Sequence, residues 1–292
     1  MPTPAIATFY EPRTASLQYV VADPATRQCA IIDPVLDFDE KSGATATRSA
    51  NAILAHLRHE NLTAAWILDT HPHADHFSAA AYLRSVTGAP TAIGARITGV
   101  QSLWKSLYNL EGFPTDGSQW DRLLADGDTL PIGALTLETL FTPGHTLCSV
   151  TYRIADAAFV NDTLFAPDSG TARTDFPGGD PAQLWRSIQR ILALPDATRL
   201  FTGHDYRPNG RPIRPESTVA EQRAANTHLL QARAEADFIQ LRTTRDRTLP
   251  MPKLILHALQ VNIAAGRLPP LETNGRRYLK LPLDALGTPP WD

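Results

Sequence analysis

The sequence predicts an α/β fold in which β-sheets are covered by helices. Strand-like and helix-like segments alternate along most of the chain, which is the pattern of layered sheets and helices. The composition is that of a globular protein, with 43% hydrophobic and 20% charged residues among 292. Histidine and aspartate residues follow directly after apolar strands, where layered α/β folds commonly carry their sites.

Short strands and helices alternate through the first part of the chain. Residues 17–21 and Gln28–Ile32 are β-rich runs separated by a turn-forming Asp-Pro pair. Apolar side chains at helical spacing predict a helix over residues 46–59. Residues 64–69 form an apolar run that we interpret as a buried strand, and residues 77–86 resume the helical pattern. The histidine-rich segment between them therefore lies in a turn from a strand to a helix.

The same alternation continues to residue 215 and then gives way to helices. We predict a strand near Thr91, a helix over residues 97–110, strands over Leu135–Phe141, Val150–Ile154 and 158–160, a helix over residues 182–194 and a strand over Arg199–Thr202. Helical patterns then cover residues 216–241 and 254–265. We therefore predict a catalytic domain over residues 1–215, with residues 216–292 forming a helical C-terminal extension packed on it.

Charge and cysteine content limit the function classes. The net charge is −3 without a block of like charges, which argues against nucleic acid or an anionic membrane as the main partner. No apolar run reaches the length of a membrane span, and the N-terminus lacks the pattern of a secretion signal. Because Cys29 and Cys148 are the only cysteines, we expect a reducing compartment, and therefore the cytoplasm.

Four separated motifs place histidine or aspartate directly after apolar strands. They are residues 70–76 (T-H-P-H-A-D-H), 142–145 (T-P-G-H), 161–165 (N-D-T-L-F) and 202–206 (T-G-H-D-Y). Imidazole nitrogen and carboxylate oxygen are good ligands for zinc and for ferrous iron. A cluster of three histidines and an aspartate is costly to bury without a metal. The sequence therefore predicts a metal site, with candidate ligands His71, His73, Asp75, His76, His145, Asp162 and His204.

Two glycines and four further histidines complete the motif analysis. Gly144 and Gly203 each precede a candidate ligand and are expected to relieve backbone crowding. The isolated histidines are expected to be structural or exposed; these are His56, His59, His228 and His257.

The motifs T-H-x-H-x-D-H, T-P-G-H-T, D-T-L-F and G-H-D together resemble the metallo-β-lactamase superfamily over about residues 5–215. This resemblance implies an αββα sandwich, in which two mixed sheets pack face to face with helices outside and the metal site lies on one edge. The superfamily contains hydrolases with two metals and a dioxygenase branch with one iron. All seven candidate ligands are present, and these residue types fit a binuclear hydrolase with two Zn²⁺ ions, such as a glyoxalase II-like thioesterase, a lactonase or a β-lactamase. The residue types alone do not decide between the hydrolases and the dioxygenase branch.

Two further stretches resemble the persulfide dioxygenase branch of that superfamily. One is residues 170–180, which contain R-T-D-F, and the other is residues 251–269, which are similar to stand-alone bacterial members, some of them labelled β-lactamase-like hydrolases. The resemblance implies one Fe(II) per chain, held by His71, His145 and Asp162, the two-His-one-carboxylate set of non-haem oxygenases. The remaining candidates would hold waters and orient the ligands; they are His73, Asp75, His76 and His204.

The implied reaction oxidises glutathione persulfide with O₂ to sulfite and glutathione. Arg173, Tyr206 and Arg211 are the predicted substrate contacts, and each has a structural alternative. Arg173 can pair with Asp175, Tyr206 can serve in packing, and Arg211 belongs to an arginine-rich turn that is more often a solvated surface. Cys148 is expected to be a buried structural thiol.

Two residues depart from the family pattern without removing a ligand. Pro72 separates His71 from His73 and should still permit the extended turn. Asn161 precedes Asp162, where glycine is frequent, and asparagine tolerates a positive φ better than most residues.

The resemblance also bears on partners. We expect a homodimer through the helical tail, and a separate sulfurtransferase as sulfur donor because the chain has no room for such a domain. A non-catalytic metal-binding protein is the third reading, which the open coordination disfavours.

Overall fold

Two six-stranded β-sheets form the centre of the structure, a computed structural model that describes residues 3–287. In chain order the strands are β1 (Ala5–Glu11), β2 (Ser16–Ala22), β3 (Gln28–Ile32), β4 (Val35–Asp39), β5 (Ala44–Ala46), β6 (Thr63–Leu68), β7 (Phe77–Ser78), β8 (Thr91–Gly94), β9 (Arg122–Leu124), β10 (Thr129–Ile132), β11 (Leu135–Phe141), β12 (Val150–Ile154), β13 (Ala157–Asn161), β14 (Arg199–Thr202) and β15 (Glu216–Thr218). The helices are α1 (Arg48–His59), α2 (Ala80–Thr87), α3 (Ile97–Tyr108), α4 (Pro181–Leu192), α5 (Val219–Ala225), α6 (Glu235–Asp246) and α7 (Ile255–Asn262).

Both large sheets are mixed. The first has the order β1-β2-β3-β6-β8-β9, antiparallel from β1 to β3 and parallel from β3 to β9. The second has the order β10-β11-β12-β13-β14-β15, and only its β13–β14 pair is parallel. A third, small sheet has the order β5-β4-β7. Because β13 and β14 run in the same direction, the segments that follow them leave the sheet at the same edge.

Successive side chains of a strand face different hydrophobic cores, one between the sheets and the others beneath the helices. In β2, Leu17 and Tyr19 lie in the core between the sheets, whereas Val20 lies in the core beneath the helices. The Tyr19 ring packs edge-on against Phe159 and Phe201 of the opposite sheet, with ring centroids 5.1 and 5.5 Å apart. Strands buried on both faces in this way require helices outside both sheets.

The helices supply those two outer layers. Helices α1, α2 and α7 pack on the first sheet, and α3 packs against β8 and α7. Helices α4, α5 and α6 pack on the second sheet. The start of α4 is fixed by Asp180, whose carboxylate accepts from the backbone nitrogens of Ala182 and Gln183 at 2.8 and 3.1 Å. The predicted αββα sandwich is therefore confirmed.

The prediction of one helix over residues 216–241 is wrong. Its first three residues form β15 and pair with β14. Thr218 then caps α5 together with Glu221. Asn226 ends α5, because its side chain bonds the Gly170 carbonyl at 3.0 Å and the His228 nitrogen at 3.0 Å. Both bonds compete with helix continuation; the bond to Gly170 is tertiary, whereas the bond from His228 is a local turn of the asparagine side chain.

Several shorter differences have a similar origin. The helix predicted from residue 77 begins at Ala80, because Phe77 and Ser78 pair with β4. Strands β4, β5, β9 and β10 were not predicted, since three to five residues are too few to show a clear alternation of apolar and polar side chains. The division at residue 215 stays a prediction, and its outer limits include residues 1–2 and 288–292, which lie outside the described part. Within residues 3–287, no helix has the length and apolar character needed to cross a bilayer.

Candidate metal centre

The ends of four strands bring all seven predicted ligand residues together at one edge of the sandwich. Residues 71–76 follow β6, His145 follows β11, Asp162 follows β13 directly, and His204 follows β14. Six of the seven side chains are buried, and Asp75 is half-buried. The prediction that these residues converge is confirmed by their mutual distances.

Asp162 lies at the centre of the cluster. Its Oδ2 is 3.4 Å from His204 Nε2, 3.6 Å from His145 Nε2 and 3.8 Å from His71 Nε2. Three imidazole nitrogens therefore surround one carboxylate oxygen at distances that leave room for a cation between them.

A second group of candidate ligands lies beside the first. Ligand atoms of His73, Asp75 and His76 lie within 4.8 Å of one another, as do those of His71, His73 and Asp162. The His204 Nε2 is also 3.4 Å from Asp75 Oδ2, which links the two groups.

Unpartnered buried atoms indicate that the residues fit a metal. The buried side-chain atoms without a hydrogen-bond partner include His71 Nε2, His73 Nδ1, His204 Nδ1 and Asp162 Oδ1. An unsatisfied buried polar atom costs about 1–3 kcal/mol, so an apolar environment would not retain four of them in one place. A cation bound beside Asp162 would satisfy His71 Nε2, which faces that carboxylate.

The orientation of two imidazoles is fixed by backbone carbonyls. His145 Nδ1 donates to the Arg173 carbonyl at 2.9 Å, and His76 Nδ1 donates to the Phe77 carbonyl at 3.1 Å. Since a carbonyl only accepts, Nδ1 carries the proton, and the Nε2 lone pair of each ring is available to a metal.

The His71 ring is held by a different pair of groups. Its Nδ1 is 3.3 Å from Thr70 Oγ1, which donates to Asp33 Oδ2 at 2.8 Å. The side-chain amide of Asn161 lies 2.7 Å from the same nitrogen. Asn161 adopts φ +51°, which confirms that this position requires a left-handed backbone.

Burial and neighbouring charges separate the histidines electrostatically. Burial, reinforced by His73, lowers the pKa of His71 well below its usual value, and burial also lowers the pKa of His145. For His204, burial is outweighed by the carboxylates of Asp162 and Asp75, which raise its pKa to about 10. Without a metal, His71 and His145 are therefore neutral and His204 is a cation.

The two predicted glycines are both required, for different reasons. A Cβ on Gly203 would lie 2.4 Å from Asp162 Oδ1, inside the metal cluster. Gly144 has φ +131°, and a Cβ there would lie 2.2 Å from the Leu184 nitrogen in α4. The missing side chain of Gly203 thus leaves space for the Asp162 carboxylate, and that of Gly144 leaves space for α4.

The three predicted substrate residues differ in how many contacts their side chains make within the chain. The Arg173 guanidinium forms two 2.7 Å bonds to Asp175 and donates to the Pro250 carbonyl at 2.6 Å. Arg211 lies between Asp168 and Asp205 and bonds both carboxylates. The structure therefore engages both guanidinium groups within the chain.

Tyr206 is the freest of the three. Its ring stacks on His204 with centroids 5.6 Å apart, and 60% of the residue is exposed. It lines a cleft of about 770 Å³ together with His228, Gln240 and Arg245.

Sequence reasoning missed Asp33 and Asn262. Asp33 accepts from the Thr70 nitrogen at 2.7 Å and lies 3.0 Å from His73 Nε2. It directly follows the apolar strand β3, which is the same signal that identified the other site residues. Asn262 bonds the backbone of the histidine-rich loop from α7, and no local pattern marks it.

The four histidines expected to have no metal role lie outside the metal cluster. His59 is exposed and His228 is buried, and neither is among the groups able to hold a metal; the same is true of the half-buried His56 and His257. Burial raises the pKa of Cys148 to about 12, as expected for a structural thiol.

Comparison with known proteins gives a consistent family. A family model described as the metallo-beta-lactamase superfamily matches residues 12–204. The beta-lactamase hydrolase-like protein of Xylella fastidiosa is 64% identical over 289 residues, covering 99% of this chain and 67% of that protein. Glyoxylase B2 of Dictyostelium discoideum is 45% identical, covering 96% of this chain and 97% of that protein.

The chain is also similar, at lower identity, to proteins with a different activity in their name. Persulfide dioxygenase ETHE1 of Bos taurus is 30% identical over 260 residues, covering 88% of this chain and 87% of that protein. The crystal structure of ETHE1 from Myxococcus xanthus superposes with a TM-score of 0.73 at 30% identity, covering 90% of this chain and 100% of that one. The motifs, the sandwich and the convergent ligands agree with these matches: the chain belongs to the metallo-β-lactamase superfamily.

Proposed function

We propose that this protein is a persulfide dioxygenase that holds one Fe(II) through His71, His145 and Asp162 and oxidises glutathione persulfide with O₂. The observation that carries the proposal is the similarity to ETHE1 proteins, which extends over 88% of the chain and so includes the segment with Arg173. The hydrolase-like and glyoxylase names of the more similar relatives favour a second candidate, considered below.

The local geometry supports this choice of three ligands. His71 Nε2 and His145 Nε2 both face Asp162 Oδ2, and both rings are neutral before a metal arrives. Two neutral imidazoles and one carboxylate bind a divalent cation without first losing a proton. They leave the remaining positions around the ion open to substrates.

The reaction balances with one O₂ and one water: GSSH + O₂ + H₂O gives GSH, SO₃²⁻ and two protons. A ferrous ion, when bound, supplies the redox chemistry that lets O₂ react with the outer sulfur. Asp162 supplies the negative charge at the centre of the site. His204 holds a proton at Nε2 between Asp75 and Asp162, each 3.4 Å away, and so keeps both carboxylates oriented.

The cleft beside Tyr206 is the proposed site of the glutathione moiety. Its volume of about 770 Å³ is sufficient for a tripeptide, and its wall reaches the Tyr206 ring that stacks on His204. Arg245 is exposed in this cleft and can meet a carboxylate of the ligand. Arg173 and Arg211 stabilise the neighbouring segments through Asp175 and Asp168.

The second candidate is a two-zinc thioester hydrolase. The grouping of His73, Asp75 and His76 within 4.8 Å, and the 45% identity to a protein named glyoxylase B2, favour it. In that case a metal-activated water, rather than O₂, would be the co-substrate.

Turnover distinguishes the two candidates. We would load the anaerobically purified chain with Fe²⁺ or with Zn²⁺, and measure O₂ uptake with glutathione persulfide and hydrolysis of S-lactoylglutathione. We expect O₂ uptake and sulfite only from the iron-loaded protein, with slow thioester hydrolysis in both forms. Fast hydrolysis by the zinc form without O₂ uptake by the iron form would overturn the proposal.

A further inference from the structure

We propose that Asn262, the last residue of α7, is a positioning residue that fixes the backbone of the histidine-rich loop and thereby sets the affinity of the site for its metal. The inference rests on the metal site of the proposed function but not on the identity of the reaction. Asn262 lies outside residues 12–204, the part that the family model matches.

The side chain of Asn262 contacts the loop at three points. Its Nδ2 donates to the carbonyl oxygens of His73 and His76, both at 2.7 Å. Its Oδ1 accepts from the Ser78 nitrogen at 2.8 Å. The residue is 2% exposed, so no water substitutes for these bonds.

An asparagine suits this position because its planar amide carries two donors and one acceptor. The loop presents two carbonyls and one N–H to it, and every hydrogen-bonding atom in the set is paired. An aspartate would still accept from Ser78 but would face the carbonyls of His73 and His76 with no donor. An alanine would leave all three backbone groups buried and unpaired, at about 1–3 kcal/mol each.

Helix α7 is itself firmly anchored, so the contact is rigid. Ala258 and Val261 lie in the core beneath the first sheet. The carbonyl of Ile263 accepts from Gln101 Nε2 at 2.9 Å. Gly266 has φ +75°, and a Cβ there would lie 2.4 Å from the Ser78 carbonyl, so the chain after α7 also packs directly against the loop.

The two carbonyls that Asn262 holds belong to two metal-facing residues. Fixing the backbone at His73 and His76 restricts both imidazoles of the loop, and it also restricts Asp75 between them. Groups that orient metal ligands typically change metal affinity by about 10–100-fold when they are removed. The C-terminal helix therefore completes the metal site although it contributes no ligand.

Gln260 provides a matched control on the same helix. It is 7% exposed, and its side chain also makes backbone hydrogen bonds, donating to the Lys280 carbonyl at 2.7 Å and accepting from the Lys280 nitrogen at 3.0 Å. These bonds hold the C-terminal segment and do not touch the histidine-rich loop. Gln260→Ala should therefore reduce stability without altering the site.

The test compares Asn262→Ala, Asn262→Asp and Gln260→Ala in the full chain. Zn²⁺ affinity is measured by competition with a chromophoric chelator, and stability by urea unfolding of the metal-free proteins. We expect Zn²⁺ affinity to fall about 10-fold or more in both Asn262 variants and to stay within about threefold in Gln260→Ala. Wild-type Zn²⁺ affinity in either folded Asn262 variant, or an equal loss in Gln260→Ala, would overturn the proposal.

A second measurement needs no variant, in case Asn262 variants do not fold. Amide hydrogen exchange in the metal-free wild type should show the Ser78 amide as protected as that of Ile263, which directly follows α7 and donates to the Leu259 carbonyl at 2.9 Å, because we expect the loop and the helix end to open together. Much faster exchange at Ser78 would contradict the proposal that Asn262 fixes the loop backbone. Since neither readout involves O₂ or a thioester, a failed dioxygenase assay leaves this result unaffected.

Discussion

The two halves of the metal cluster differ in their state before a metal binds. In the triad (His71, His145 and Asp162), the imidazoles are neutral and each faces the carboxylate with Nε2. In the outer group (His73, Asp75, His76 and His204), His204 is a cation that forms ion pairs with Asp75 and Asp162.

This difference bears on how many metals the site holds. A metal entering the triad meets two imidazoles that are already neutral, so neither has to release a proton to the solvent first. A metal entering the outer group must first displace a proton from His204 and break its contacts with two carboxylates. The same seven residues could therefore hold one metal or two. The charges around them favour binding of a metal by the triad.

The largest expected effect comes from comparing a triad residue with an outer-group residue. His71→Ala removes a predicted ligand and should abolish both iron binding and O₂ uptake. His73→Ala should retain most of the iron, because the 3.0 Å contact between His73 Nε2 and Asp33 competes with coordination of a metal by that nitrogen. Iron per chain is measured after anaerobic gel filtration, and equal iron loss in both variants would favour two metals.

The next effect concerns the glycine that admits Asp162. Gly203→Ala places a Cβ 2.4 Å from Asp162 Oδ1, so the carboxylate must move and Zn²⁺ affinity should fall about 10-fold or more. Gly99→Ala in α3 is the control, since its nearest neighbour would be 3.9 Å away. Unchanged affinity in Gly203→Ala would show that Asp162 is not a ligand.

The buried histidine His228 has no proposed metal role, and it tests whether burial lowers histidine pKa values in this protein. Burial, reinforced by Arg242, lowers the pKa of His228 to about 4. Because this folded-state value lies below the unfolded value of about 6.5, the folded protein binds fewer protons between pH 4 and 6.5. The stabilisation is complete above pH 6.5 and is lost as the pH falls toward 4.

His228→Asn should remove this pH dependence. In urea unfolding of metal-free protein, the wild type should lose about 2 kcal/mol more stability than the variant between pH 7 and pH 5. Parallel curves for the two proteins would show that the pKa of His228 is the same in the folded and unfolded states, and the pKa directions inferred for His71 and His145 would lose support.

The smallest effect separates the two roles of Tyr206. Tyr206→Phe keeps the ring that stacks on His204 and removes only the hydroxyl. We expect the KM for glutathione persulfide to rise no more than about fivefold, with kcat unchanged, because a hydrogen bond at an exposed position contributes about 1 kcal/mol or less. A large fall in kcat would instead place the hydroxyl at the reacting atoms.

The sequence predicted the cluster well because its signal is local. A histidine or aspartate directly after an apolar strand lies at a sheet edge, and parallel strands bring such edges together, as for Asp162 and His204. Asp33 carries the same signal after β3 and was recognised only from its contacts.

Other features depend on partners far along the chain. Asn262 contacts His73 across 189 positions, and nothing in the pattern of α7 marks that residue. The break at Asn226 arises in part from its bond to Gly170, 56 positions away, so a helical pattern alone extended too far. The charge on His204 likewise follows from two carboxylates that only the fold brings near it.

One titration tests the central claim that the triad binds a single iron. Metal-free chain is titrated anaerobically with Fe²⁺ near pH 7, and binding is followed by calorimetry in the wild type and in His71→Ala. The account predicts one equivalence point at one iron per chain, absent from the variant. Two equivalents of comparable affinity in the wild type, or an unchanged first equivalent in His71→Ala, would contradict it.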